Sequence, residues 1–115
     1  MVKETYVSLE VAKLLQEKGF DIECNNAYYN GKLIDYTMYG FCGALDFIFA
    51  PTQQMAMAWL REEKNIIINI WYDGVDWAAE YYNNEDENFY LIADSYNSYE
   101  EAVESALKYI LENLI

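Results

Sequence analysis

Apolar residues recur with the three- and four-residue spacing of a helix in three segments of the chain. The clearest segment follows Ser98, which forms a capping box with Glu101 because each side chain can accept the other's backbone N–H. The spacing predicts helices over about residues 8–18, 52–64 and 98–114. We expect the last helix to pack a sheet with five residues: Val103, Ala106, Leu107, Ile110 and Leu114.

Residues at the predicted helix ends support these boundaries. Ser8 is a good N-cap, and Gly19 suits the left-handed end of a Schellman motif in which Phe20 packs back onto Leu15. Pro51 stands before or inside the first turn of the second helix, where its missing N–H costs nothing. We expect one face of the second helix to carry Met55, Ala56, Trp59 and Leu60.

The segments between these helices have the composition and alternation of β-strands. Asn30-Gly31 and Asp73-Gly74 each predict a two-residue type I′ hairpin. The predicted strands cover residues 26–29, 32–38, 44–49, 66–72, 75–82 and 89–93. Alternation along residues 75–82 predicts one buried face and one open face. The buried set is Trp77, Ala79 and Tyr81, and the open set is Asp76, Ala78, Glu80 and Tyr82.

The predicted order of elements is α-β-β-β-α-β-β-β-α. Tight hairpins imply antiparallel pairing, so an α+β fold with an antiparallel sheet and three helices is favoured over a parallel α/β fold. A length of 115 residues corresponds to one domain, residues 1–115. Residues 8–38 and 52–82 share a helix-plus-hairpin plan, and an internal duplication is one interpretation of this similarity.

The net charge of the chain limits the kinds of molecule that it can bind. The formal net charge is −13, and from Asn65 onward 11 acidic residues face the single basic residue Lys108. A surface of this sign repels phosphates, so we expect no direct binding of nucleic acid. No apolar run approaches the roughly 20 residues of a membrane span, and the first residues do not form a secretory signal. These features predict a cytoplasmic protein with Cys24 and Cys42 reduced.

Residue types exclude the common catalytic routes. The chain has no histidine, so Ser-His and Cys-His nucleophile pairs and histidine zinc sites are absent. It also lacks a glycine-rich phosphate loop. Asp73 with Asp76, and the run 85–87, lack the spacing of a calcium loop and are interpreted as solvated turn acids. We therefore expect a non-enzymatic protein with no catalytic residues, no metal site and no cofactor.

Residues 50–56 with 59–62, residues 98–102 with 109–113, and residues 7–15 resemble a family of small uncharacterised proteins from gut Bacteroides-type bacteria, their phages and their mobile elements. The resemblance extends over most of the chain. It implies a bacterial or phage cytoplasmic protein with an accessory role. It transfers no activity and no functional residues.

The aromatic residues at alternating positions and the excess of acidic residues leave three functions open. The first is an interaction module that offers an acidic, tyrosine-rich sheet face to another protein or to itself. The second is a phage-type DNA mimic, whose carboxylates would copy phosphates and inhibit a nucleic-acid-binding protein. The third is a small ligand-binding protein or enzyme with a Tyr/Trp-lined pocket. The candidate interaction surface comprises Tyr72, Asp73, Asp76, Glu80, Tyr82 and Glu85.

Overall fold

The computed structural model describes residues 3–38 and 47–115, and its elements follow the predicted order α-β-β-β-α-β-β-β-α. The α+β class is therefore confirmed. A short 3-10 turn spans Tyr36–Met38. The helices are α1 (Leu9–Glu17), α2 (Gln53–Lys64) and α3 (Tyr99–Asn113). The strands are β1 (Asn26–Tyr29), β2 (Lys32–Asp35), β3 (Ile48–Phe49), β4 (Ile66–Tyr72), β5 (Trp77–Asn83) and β6 (Asn88–Tyr96). Residues 44–46 of the predicted third strand, and Cys42, lie outside the described residues.

The strands form two antiparallel sheets of three strands each. Their strand orders are β2-β1-β3 and β4-β5-β6. Both of the helix-plus-hairpin units, 8–38 and 52–82, are present, but their sheets differ in strand order. The central strand is β1, the first strand of its unit, in one sheet, and β5, the second strand of its unit, in the other. α3 contacts all three strands of the second sheet, and α2 contacts β4. The second sheet therefore has one face covered by helices.

Local sequence signals explain where the helices begin and end. The hydroxyls of Ser8, Thr52 and Ser98 each accept the backbone N–H three residues later, at 3.1–3.2 Å. Gly19 has a φ of +98°, and the N–H of Phe20 donates to the carbonyl of Leu15 at 2.9 Å. This is the predicted Schellman ending, and Phe20 is buried against Trp59.

The two predicted hairpins differ in the structure. Asn30 and Gly31 both have positive φ and form the predicted two-residue loop. The Asp73-Gly74 prediction was wrong in length, because β4 ends at Tyr72 and β5 begins at Trp77 rather than Val75. The cause is the Asp73 side chain, which accepts the N–H groups of residues 75 and 76 and stabilises a four-residue loop.

β6 is longer than predicted, because it runs to Tyr96 rather than Ala93. Its pairing with β5 shifts twice, between Glu80 and Ala79 and between Ala79 and Trp77. Ser95 lies in the second shift with a φ of +70°. Such bulges bend an edge strand and allow pairing to continue past a break in alternation.

The core lies between the helices and the covered face of the second sheet. The stripe of α3 is buried as predicted up to Ile110, whereas Leu114 is 37% exposed because it caps the helix beyond its last turn. On α2, Met55 is exposed and does not share the buried face. The fully buried side chains include Val7, Val11, Leu15, Leu60, Val103, Leu107, Ile110 and Leu111.

Polar contacts fix the ends of the three helices relative to one another. Glu104 of α3 accepts the N–H of Ser8 at 3.1 Å. The buried Gln53 of α2 donates to the carbonyl of Glu100 at 2.9 Å. α3 therefore holds the starts of α1 and α2.

Candidate functional site

The second sheet presents two chemically different faces. On β5, Ala79 and Tyr81 are buried against the helices, and Trp77 packs beside Tyr99 of α3. Glu80 and Tyr82 point to the other face because side chains alternate along a strand. The predicted division is confirmed for Ala79 and Tyr81, which are buried, and for Glu80 and Tyr82, which are partly exposed. It was wrong for Ala78, which is only 4% exposed because its small side chain lies opposite Trp71, and Asp76 precedes the strand.

The side away from the helices, which we call the open face, carries eight residues in three rows across the strands. One row across the sheet joins Ile67, Tyr82 and Phe89, the next joins Asn69, Glu80 and Leu91, and the third pairs Trp71 with Ala78. Asp94 lies in the stretch of β6 where the pairing with β5 is shifted. Directly opposed side chains are close enough to touch, so these rows form one continuous surface.

Large apolar side chains dominate the open face. Trp71 is 39% exposed, Phe89 is 60% exposed and Leu91 is 62% exposed. The rings of Tyr82 and Phe89 lie 4.8 Å apart and extend the apolar surface across two strands. Apolar side chains that form a contiguous exposed patch mark interaction sites more often than isolated ones do.

Glu80 lies in the centre of this apolar array. Its Oε1 accepts a long hydrogen bond of 3.4 Å from the Nδ2 of Asn69. Residues 66–98 contain no lysine or arginine, and none of the ion pairs found among the described residues involves Glu80. The open face therefore holds a carboxylate whose only described hydrogen bond comes from a neutral amide.

The structure places Tyr72 away from the other predicted face residues. Tyr72 pairs with Trp77, so its side chain belongs to the helix-side face, and the two rings lie 5.0 Å apart. Trp71 occupies the open face in its place. The sequence carried the signal for this correction, because Tyr72 continues the alternation of Ile66, Ile68 and Ile70 that forms the buried side of β4.

The three remaining predicted residues lie at the two ends of the sheet. Asp73 and Asp76 belong to the β4–β5 loop, and Glu85 belongs to the β5–β6 loop at the opposite end of β5. The Asp73 carboxylate accepts the N–H groups of Asp76 and Val75 at 2.8 Å, and these bonds hold its pKa below the ordinary value. Asp73 therefore shapes its loop, whereas Glu85 has an exposed side chain.

A tyrosine pair orders the second acidic loop. Tyr90 donates a hydrogen bond to the carboxylate of Asp86, and this bond raises the pKa of Tyr90. The ring of Tyr90 stacks on Tyr81, with 5.1 Å between the ring centres. Asp86 is thus fixed at one end of the sheet beside the exposed Glu85 and Glu87.

The cavities of the described chain give little support to a ligand-binding pocket lined by tyrosine and tryptophan. Three shallow cavities have volumes of about 280, 230 and 260 Å³. Within the described residues each is lined by a single aromatic side chain: Tyr99, Tyr6 and Trp59, respectively. Over residues 3–38 and 47–115 no cluster of acidic or cysteine side chains could hold a metal ion. The Cys24 thiol lines the second cavity, and burial raises its pKa.

The helices in the described part of the chain are also too short or too polar for a membrane crossing. Comparison with models of protein families, with curated proteins and with solved structures finds no match for this chain.

Proposed function

We propose that this protein is a non-enzymatic interaction module that binds another protein through the open face of its second sheet. The observation that carries the proposal is the apolar array around Glu80, in which Trp71, Phe89 and Leu91 are exposed although they are large and hydrophobic. Interfaces typically combine such an apolar centre with a polar rim.

The arrangement of charge favours this function over DNA mimicry. A mimic needs rows of carboxylates, whereas the open face has one central carboxylate. Of the six other acids in residues 66–98, five lie in the two loops and Asp94 lies in β6. Acids at a rim accelerate the encounter with a basic partner and help to select it, while the apolar centre supplies most of the binding energy.

A capture experiment in cells that make the protein tests this proposal. Tagged wild-type protein is compared with Trp71→Ser and Leu91→Ser, each of which removes apolar area from the open face without disturbing the core. We expect each substitution to reduce the recovered partner at least tenfold, because exposed aromatic and aliphatic anchors carry most of the energy of an interface.

Ile22→Ser is the matched control, since Ile22 is 42% exposed and lies outside both sheets. It removes a similar apolar side chain and should leave recovery unchanged. Equal recovery by wild type and both open-face variants would contradict the proposal. Loss of recovery with Ile22→Ser alone would move the contact to another surface.

The cytoplasmic location and the bacterial or phage origin belong to the same proposal. They rest on the resemblance at residues 7–15, at residues 50–56 with 59–62, and at residues 98–102 with 109–113. An accessory role that acts through binding agrees with that resemblance.

A further inference from the structure

We propose that the partner covers the open face with a single amphipathic helix, and that this helix places an arginine or lysine within its apolar stripe to pair with Glu80. This inference rests on the proposed function and identifies the chemistry of the partner. Three properties of the open face support it: its dimensions, its central carboxylate and the sign of the surrounding charge.

The dimensions of the open face fit one helix. Three strands spaced about 4.8 Å apart present a face about 10 Å wide, which is close to the diameter of a helix with its side chains. From Ile67 to Trp71 the face extends about 14 Å, the length of roughly nine helical residues. The opposite face of the same sheet is already covered in this way by α3. A helix on the open face would complete a three-layer arrangement.

Glu80 determines what that helix must carry. A partner that covers the apolar array removes water from the carboxylate, and an ionised carboxylate without a counter-charge is costly to desolvate. Asn69 supplies one weak hydrogen bond and no charge. A guanidinium or ammonium group aimed at Glu80 would satisfy it, and an arginine can do so with two parallel hydrogen bonds.

The surrounding charge disfavours a second copy of this chain as the occupant. Residues 66–98 contain seven acids and no basic residue: Asp73, Asp76, Glu80, Glu85, Asp86, Glu87 and Asp94. Two copies placed face to face would bring these acids together, whereas a basic helix would be attracted by them. A cationic helix is therefore the occupant that matches both the centre and the rim.

Synthetic peptides provide the probe. The first is an 18-residue leucine–lysine peptide with leucines at helical spacing and one arginine in the middle of the leucine stripe. The second replaces that arginine with glutamate, and the third scrambles the first so that no apolar face forms. We expect wild-type protein to bind the arginine peptide at least tenfold more tightly than either of the others in isothermal titration.

Charge exchange at position 80 then assigns the contact. Glu80→Gln should bring the preference for the arginine peptide over the glutamate peptide close to one. Glu80→Arg should reverse it. Glu63→Gln is the control, because Glu63 is an exposed acid on α2 away from the open face, and it should leave the preference unchanged.

The outcomes separate this inference from the proposed function. A full preference in Glu80→Gln, equal binding of the scrambled peptide, or no binding of the arginine peptide would overturn the inference. So would a homodimer in sedimentation that dissociates with Trp71→Ser. If open-face variants lose the natural partner while the peptides show no preference, the function stands and the helix proposal is wrong. If capture is insensitive to the open face, the function itself fails.

Discussion

At the scale of single residues, two carboxylates in and beside the second sheet differ in how their oxygens are hydrogen-bonded. Asp73 accepts two backbone N–H groups of its own loop at one carboxylate oxygen, Oδ1. Glu80 accepts one long bond from an amide and faces outward from the sheet. Asp73 is therefore structural, and Glu80 remains available to a partner.

Alternation along a strand explains which residue assignments could be made from the sequence. It correctly separated Trp77 and Tyr81 from Glu80 and Tyr82. The role of Asp73 could not be predicted in the same way, because a side chain that accepts N–H groups two and three residues ahead depends on the length of the loop.

The lowered pKa of Asp73 predicts a pH-dependent contribution to stability. A carboxyl group whose folded pKa lies below its unfolded value stabilises the fold above the unfolded value, and this contribution is lost as pH falls through the folded pKa. We expect Asp73→Ala to be less stable than wild type in urea unfolding at pH 7, and this difference should shrink below about pH 4.

Asp73→Asn is the control for this measurement, because its amide oxygen still accepts N–H groups but carries no charge to titrate. Its difference from wild type should be smaller at pH 7. A loss in Asp73→Ala that is the same at pH 7 and pH 3 would show that the carboxylate charge contributes nothing.

At the scale of elements, the helix ends, which depend on residues within one turn, were predicted from the sequence. The pairing of strands that are far apart in sequence was not. The caps at Ser8 and Ser98 and the ending at Gly19 depend on neighbouring residues alone. The division into two sheets and the two shifts in the pairing of β6 depend on residues far apart in sequence. The periodicity of apolar residues along the chain therefore does not predict them.

The burial of α3 yields a prediction about this element. Leu107 is fully buried between the helices and the sheet, so Leu107→Ala should lower the free energy of unfolding by about 2–5 kcal/mol. Leu114→Ala removes the same atoms from a partly exposed site and should cost clearly less. Urea unfolding followed by far-ultraviolet circular dichroism compares the two. Equal losses would mean that α3 does not contribute to the core as described.

At the scale of the whole molecule, a net charge of −13 opposes compactness. The composition alone predicts this repulsion between charges, since the repulsion depends on the number of acidic residues more than on their positions. The open face depends on positions and required the strand register. Composition therefore indicates the sign of a partner, and the fold indicates where that partner binds.

Self-repulsion predicts that salt stabilises the protein. Raising the salt concentration from about 0.1 M to about 1 M shortens the Debye length from about 10 Å to about 3 Å, so the melting temperature should rise. The Glu85→Gln/Glu87→Gln variant removes two exposed charges and should gain less from the same salt. An identical gain in both proteins would mean that repulsion between these acids is not the cause.

Hydroxyl-radical footprinting of the protein, alone and bound to its captured partner, tests the central claim most directly because it measures side-chain exposure in the intact complex. Partner binding should lower the oxidation of Trp71, Tyr82, Phe89 and Leu91 together, while Met55 and Ile22 on the other side remain as reactive as in the free protein. Protection of Met55 and Ile22 with no change at Trp71 and Leu91 would contradict it.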